Sequence, residues 1–497
     1  MDFVKNSPPL NVYSSQQARQ LDTIAIEQQG IKGYELMCRA GQAAYNVITN
    51  KFPSARRILI IAGGGNNAGD GYVLARLLDS TEYNCAVIPI MSPDKLQGDA
   101  LHACSEFLDQ GGELYKHEGE LPHCDLIVDA IFGIGLNRLI EGEVVNVITQ
   151  INQHSAPTLA LDIPSGLNSD TGIPMDISVC ANTTITFIGL KSGLLTGQAC
   201  DNTGEVIVHD LELPNTVFSQ IEPIGNTLSP TTHKALLPRR KPSSHKNNFG
   251  HVLVIGGNIG YPNAAALAAI GAARSGAGLV SVVTHPDNVN AIASSCSSIM
   301  VRGIHQPSDM GNLINLADVI VLGPGLGKDA WARRFFARFI DIKKPVVVDA
   351  DALTLLSHNP NQRDHWILTP HPGEAARLLA CEKTEIEFNR LAAVKAIQEK
   401  YHGVIVLKGA GTLIYKDSMG FCINGNAALA TGGTGDVLAG IIGSFIAQGL
   451  TPIDAAECAT TIHGLAAERI SQFGTRGLLA SDLFPELIKL VNPCQNS

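Results

Sequence analysis

Aromatic side chains are scarce in this chain, at 5% of residues, and tryptophan occurs only twice. Charged residues are thin as well, at 16% against 45% hydrophobic ones. So little charge beside so much apolar material excludes a disordered polymer and implies packed cores. Basic residues number 36 against 46 acidic ones, for a formal net charge of −10. Without a basic excess, nonspecific nucleic-acid binding is not expected. No run of about 18 uncharged apolar residues occurs, so no membrane span is expected either. The eleven cysteines are scattered and never form C-x-x-C. That pattern reads as apolar thiols in a reducing compartment. The opening "MDFVKNSPPLNVYSSQQ" lacks the basic and apolar regions of a secretory leader, and the expectation is a cytoplasmic protein.

Glycine, by contrast, is abundant, at 49 of 497 residues. That length predicts two or three domains. The segments "RRILIIAGG", "NCAVIPIM", "CDLIVDAIFG", "APTLALDIPSG" and "NTTITFIG" read as strands, most separated by helix-length stretches. Such alternation implies βαβ units and a mainly parallel sheet. Over 212–249 the rhythm gives way to proline, serine and basic residues, including "RRK" at 239–241, which reads as a solvated linker face. It restarts with "GHVLVIGG", "GLVSVVT", "DVIVLGPG", "KPVVVDAD", "HWILTP", "GVIVLKG" and "TLIYKD". The expectation is an α/β chain of two different domains, 1–224 and 225–497.

In the first half, "LIIAGGGNNAGDGYVLARLL" is a strand, a glycine turn and a helix. Gly63, Gly65 and Ala68 satisfy G-x-G-x-x-A, which lets backbone approach a phosphate at a helix N-terminus. Neither an acidic ribose partner nor a Walker lysine follows, so a tight packing turn is the competing reading. Asn66, Asn67 and Asp70 exceed what a turn requires. Asp129 stands at a second strand end, and Asp162 and Ser165 follow a third. In open parallel sheets those ends converge on one crevice. Amide, carboxylate and hydroxyl oxygens there suit a hard alkali or alkaline-earth cation. Asp162 is a candidate general base or a turn aspartate.

In the second half, "ATGGTGDVLAG" puts a glycine turn ahead of an apolar helix predicted to start near Gly435 or Asp436. Such a turn can aim its amides inward as an anion nest, reinforced by the helix dipole. Asp436 beside it is a candidate general base, against a plain helix N-cap. "VLKGAGT" adds Lys408, Gly409 and Gly411, and "VLGPGLG" adds Gly323, Gly325 and Gly327. "LTPHPGEAARLL" places His371 and Glu374 before a helix. Asp349 and Asp351 either hold magnesium through water or cap a helix.

Together these motifs resemble known families. The second half resembles the ribokinase-like superfamily. More narrowly, "GLVSVVT", "GPGLG", "VVDADAL", "LTPHPGEAARLL", "VLKGAGT" and "TGGTGDVLAG" resemble NAD(P)H-hydrate dehydratases. In the first half, "GGGNNAGDG", "VDAIFGIG", "LDIPSGLNSDTG" and "KSGLLTG" resemble NAD(P)H-hydrate epimerases. The tandem order resembles bacterial bifunctional repair enzymes, and the match covers nearly the whole chain.

The resemblance implies a Rossmann-like αβα domain followed by a ribokinase-like αβα domain. It implies interconversion of R and S forms of NAD(P)H hydrated at ring carbon C6, then ADP-dependent dehydration of the S form to NAD(P)H, AMP and phosphate. It assigns Asn66, Asn67, Ala68, Gly69, Asp70, Gly133, Ile134, Gly135, Leu136, Asn137, Arg138, Leu139 and Asp162 to the epimerase hydrate site. Asn67, Asp129 and Ser165 are implied potassium ligands. Ala265, Gly325, His371 and Asp436 are the implied dehydratase hydrate site. Lys408, Gly409, Ala410, Gly411, Thr412 and Gly435 are the implied nucleotide site, with Asp162 and Asp436 catalytic. Magnesium, ADP and a homo-oligomer such as a tetramer are further implications. Ile134 replaces a usual threonine, Asn263 a common glycine and Leu429 a methionine. Two alternatives stay open: a vitamin or sugar kinase of the ribokinase class, and a first domain that binds ligand without turnover.

Overall fold

A computed structural model of the chain describes residues 2–3, 8–81, 83–136 and 138–492. The chain divides into two compact units, Met1–Asn226 and Thr227–Ser497.

The first unit is built on a seven-stranded sheet. From one edge its strands run Asp2–Phe3, Glu205–His209, Thr183–Phe187, Thr158–Leu161, Leu126–Ala130, Arg57–Ala62 and Asn84–Pro89. All pairs are parallel except that of Asp2–Phe3 with its neighbour. The inner strand Arg57–Ala62, "RILIIA", is buried at all but its first position. A strand covered on both faces needs such a continuous apolar run. Its side chains alternate between two cores. Ile58 and Ile60 pack with the helices Gly33–Lys51, Asn66–Asp79 and Gly98–Asp109. Leu59 and Ile61 pack with the helix Glu143–Gln153 on the other side. The unit is therefore a three-layer αβα sandwich.

Chain order reverses beside Arg57–Ala62: the following strand lies on one side of it and Leu126–Ala130 on the other. At that reversal Gly63 donates its N–H to Ala130 O at 3.0 Å. A Cβ on Gly63 would stand 1.9 Å from Ile131 O, so only glycine lets the two loops come this close. Gly63→Ala is expected to destabilise the first unit by about 1–3 kcal/mol, as overpacking does. The check is the midpoint of its denaturant unfolding transition.

The second unit orders its parallel strands as Met300–Gly303, Leu279–Thr284, His251–Ile255, Val319–Leu322, Val346–Val348, Trp366–Leu368 and Val404–Leu407. The hairpin Leu413–Tyr415 and Met419–Phe421 continues it antiparallel. Val252, Val254, Val319 and Val321 share a core with the helices Pro262–Arg274, Thr434–Ala447 and Pro452–Ile470. The alternate residues Leu253, Ile255, Ile320 and Leu322 are buried too, so this sheet is also covered on both faces. The helix Thr434–Ala447 is apolar on nearly every side because it lies inside that core. It approaches Pro262–Arg274 so closely that a Cβ on Gly440 would meet Ala268 O at 2.0 Å. This contact fixes where the head of the helix, with Asp436, can lie. Chain order reverses beside His251–Ile255, between its two neighbouring strands.

Candidate active sites

At the reversal in the first unit lies a cleft of about 540 Å³. It is where a doubly wound sheet is expected to take its ligand. Asn66, Asn67, Asp70, Gly133, Ile134, Gly135, Leu136, Arg138 and Asp162 all line it. Ala68 and Gly69, on the same helix, do not. They are buried, and a Cβ on Gly69 would stand 2.5 Å from the Met37 sulfur, so they seat the helix rather than meet a ligand. Leu139 is 62% exposed and likewise does not line the cleft. Asn137 lies outside the described residues.

Beneath the cleft, Asp129 is fully buried. Its oxygens accept from Ser165 Oγ at 2.5 Å, Ser165 N at 2.7 Å and Ile131 N at 3.2 Å. Burial pushes its carboxyl up to about 6 despite these donors. Asn67 donates from Nδ2 to Phe132 O at 3.0 Å. Its Oδ1 is buried and has no hydrogen-bond partner among the described residues. An orphaned buried oxygen beside a buried carboxylate and a hydroxyl has the donor chemistry of a hard cation site.

Asp162 is held differently. Its backbone sits at φ 64°, a left-handed conformation that L-residues adopt at a cost and that clusters at functional loops. Its Oδ1 accepts from Lys191 Nζ at 2.5 Å, Thr186 Oγ1 at 3.2 Å and Phe187 N at 3.4 Å. Lys191 is only 2% exposed and also donates to Phe187 O at 2.7 Å and Thr186 Oγ1 at 3.0 Å. The ammonium locks the carboxylate in one orientation at the cleft wall. Sequence reasoning quoted the stretch around Lys191 without assigning the lysine. The available signal was a lone charge inside the apolar run "ITFIGLKSGLL".

In the second unit, the helix Thr434–Ala447 begins one or two residues before the predicted start, and Asp436 is its third residue. Gly433 before it has φ 91°, which turns the glycine loop back over the helix head. The first amides of a helix have no partner within it and favour an anion. Lys408 reaches the same place: a Cβ on Gly435 would be 3.2 Å from its Nζ. Lys408 Nζ donates to Asp349 Oδ1 at 2.8 Å and lies 3.9 Å from Glu374 Oε2.

Burial alone would lower the lysine, but Asp349, Glu374 and Asp436 outweigh it and hold the ammonium above its ordinary value. The acids pay the converse. Burial, then Asp349, push Asp436 up to about 8, with Lys408 opposing. Burial pushes Glu374 up to about 7, also against Lys408. Asp436 is thus an acid poised near neutrality beside a fixed cation and an anion nest, the setting a general base needs.

His371 caps the helix Pro372–Leu379: its Nδ1 accepts from Gly373 N at 3.0 Å and Glu374 N at 3.3 Å, and Glu374 Oε2 accepts from His371 N at 2.8 Å. Burial of the ring and the cations Lys408 and Arg377 lower it to about 4, so it is a neutral acceptor. Asp349 is taken by Lys408 and by Thr369 Oγ1 at 2.7 Å. Asp351 begins the helix Asp351–His358 but does not cap it, since Ala350 holds the N-cap position; its carboxylate instead accepts from Gly327 N at 2.8 Å and ties that loop down. Gly325 has φ 59° and approaches Tyr261 O, against the turn that opens Pro262–Arg274. Ala265 is buried below that turn. The turn from Lys408 to Thr412 is gripped by Arg390, which donates to Leu407 O at 3.1 Å, Lys408 O at 3.3 Å and Gly411 O at 3.5 Å. Thr412 Oγ1 donates back to Gly409 O at 3.0 Å, leaving Gly409 and Ala410 exposed. Arg390 escaped sequence reasoning, since nothing in the helix Arg390–Tyr401 marks one arginine as buried.

Two doubly wound α/β units, one with a cation-ready cleft and one with an anion nest and a poised carboxylate, define a tandem of nucleotide-handling enzymes. Comparison with known proteins narrows the class. Residues 33–193 match the family described as YjeF-related protein N-terminus, and residues 252–489 match NAD(P)H-hydrate dehydratase. The bifunctional NAD(P)H-hydrate repair enzyme of Coxiella burnetii is 42% identical over 97% of this chain and 99% of its own. That of Escherichia coli is 41% identical over 98% and 95%. A ribokinase-like superfamily protein from Enterococcus faecalis aligns in structure at 31% identity with a TM-score of 0.50, covering 53% of this chain and 94% of its own. A hypothetical protein from Streptococcus mutans gives the same identity and TM-score over 53% and 98%. This chain belongs to the family of bifunctional NAD(P)H-hydrate repair enzymes. No helix among the described residues is long and apolar enough to cross a membrane.

Proposed function

We propose that the chain restores hydrated NAD(P)H in two stages. Residues 1–224 interconvert the R and S hydrates, and residues 225–497 dehydrate the S form with ADP, giving NAD(P)H, AMP and phosphate. The observation that carries this reading is Asp436, raised toward 8 and set beside Lys408 at a glycine-turned helix head. Asp436 takes the proton of the C6 hydroxyl as that oxygen attacks the nucleotide. The nest and Lys408 hold the phosphoryl group passed to it. The phosphorylated oxygen then leaves as phosphate, expelled by the ring nitrogen lone pair, and loss of a proton from C5 to solvent restores the C5–C6 double bond of NAD(P)H. Gly409 to Thr412 and Gly435 bind the nucleotide, and Gly325, Ala265 and His371 shape the hydrate side. In the first unit the cleft-lining residues of 66–70 and 133–138 take the hydrate against Asp162.

The test is product analysis with the S hydrate and ADP. AMP and phosphate released one for one with restored NAD(P)H support this reading; a stable phosphorylated product would replace it with a kinase.

Asn67, Asp129 and Ser165 fit potassium by donor chemistry, and the ion would supply the positive charge that Asp129 lacks. Potassium is expected to raise the unfolding temperature of the first unit in a concentration-dependent way. Asn67→Ala should remove most of that rise. A potassium-independent midpoint in the unaltered chain would remove the site. Magnesium is assigned no protein cage: no group of three or more His, Cys, Asp or Glu among the described residues is arranged to hold a metal.

A further inference from the structure

Four carboxylates, Asp22, Asp70, Asp99 and Asp162, line the cleft of the first unit, against Arg19, Arg138 and Lys191. Two of the four are held in opposite ways. Asp162 accepts from the Lys191 ammonium at 2.5 Å and from two further donors. Asp70 lies one turn along the helix from Asn66 and Asn67, on the same side, and opens into the same cleft. Among the described residues no side chain or backbone N–H donates to its carboxyl. Two carboxyls that share a cleft while only one has a cation divide their charge unequally, as acid–base pairs do.

We propose that Asp70 is the general acid of the first unit, working against Asp162 as its base. This rests on the epimerase reading above. In the hydrate, C6 bears the hydroxyl and is bonded to ring nitrogen N1. Asp162 removes the hydroxyl proton as the N1–C6 bond breaks. The bonding pair goes to N1, which takes the proton of Asp70, leaving a C6 aldehyde and an N1–H enamine. Rotation about C5–C6 presents the other aldehyde face. Reclosure returns the nitrogen's proton to Asp70 and the Asp162 proton to the oxygen. The opposite epimer results, with both residues restored and no outside reactant.

Burial, then the charges of Asp162 and Asp22, hold the Asp70 carboxyl well above its ordinary value, with Lys191 opposing, which agrees with a resident proton.

The experiment follows R-to-S interconversion by the full chain across pH, for the unaltered protein, Asp70→Asn and Asp70→Glu. The denaturant unfolding transition of the first unit reports that each variant folds. The expected result is a kcat loss of about 10²–10⁴-fold in Asp70→Asn with KM little changed. The rate of the unaltered protein should fall at alkaline pH as Asp70 loses its proton, and that limb should be missing in Asp70→Asn. Asp70→Glu should recover part of the rate. A folded Asp70→Asn chain with unchanged kcat, or one impaired only in KM, overturns the assignment while leaving the epimerase reading intact. An unaltered chain that does not interconvert the hydrates takes both down.

Discussion

Asp436→Asn is expected to lose nucleotide-dependent dehydration by about 10²–10⁴-fold while R-to-S interconversion continues. The amide keeps the size and polar contacts of the carboxyl but accepts no proton. The pH dependence follows from the same environment. The base must be ionised to act, and its surroundings place it at about 8 in the unliganded protein. kcat/KM for dehydration should therefore climb with pH and level off above about 8. Stability should move the other way. The folded value lies above the ordinary 3.8, so the native state holds the proton more tightly and becomes less stable as pH rises through that window. Asp436→Asn removes that penalty, so the inactive variant should unfold later than the unaltered protein at pH near 8. Activity retained in the variant would end the base assignment.

Lys408→Met is expected to produce the largest loss of stability among the site substitutions. Asp349 is 1% exposed, and its two hydrogen-bond donors from side chains are Lys408 and Thr369. Glu374 is nearly as buried and leans on the same ammonium. Removing one partner of a buried pair leaves an uncompensated charge, which typically costs about 3–5 kcal/mol. The measure is the denaturant midpoint of the transition belonging to the second unit. Adding Asp349→Asn should recover part of the loss, because the two changes share one interaction. Nucleotide affinity should fall in both forms, since the cation also faces the anion nest. A Lys408→Met protein as stable as its parent would contradict the dependence of Asp349 on this ammonium.

Much of this molecule was legible in advance, and the reason is local. Strands such as "RILIIA" and "VIVL" are short apolar runs closed by glycine, and helix-length stretches between most of them leave a parallel sheet as the simple arrangement. Asp129, Asp162, Ser165 and Asp436 stand at strand ends or a helix head, where this architecture gathers its ligands. What escaped was set by long-range packing. The strand Glu205–His209, "EVIVH", went unread despite its apolar Val206, Ile207 and Val208; it pairs in parallel with Thr183–Phe187. Lys191 and Arg390 are buried charges whose partners lie across loops, and no spacing rule marks them. Ala68 and Gly69 belong by sequence to a ligand loop, yet helical geometry turns them inward, away from Asn66, Asn67 and Asp70. The same period that puts Asp70 in the cleft takes its neighbours out.

The central claim is that one chain converts both hydrate epimers to NAD(P)H. The direct measurement mixes R and S NADH hydrates with the purified full chain, ADP, magnesium and potassium, and follows the near-ultraviolet absorbance of reduced nicotinamide to its end point. Recovery of both epimers, faster than they interconvert unaided, is the predicted result. Recovery that stops at the S fraction would contradict the role given to Asp162 and its cleft. No recovery with ADP or ATP would contradict the account as a whole.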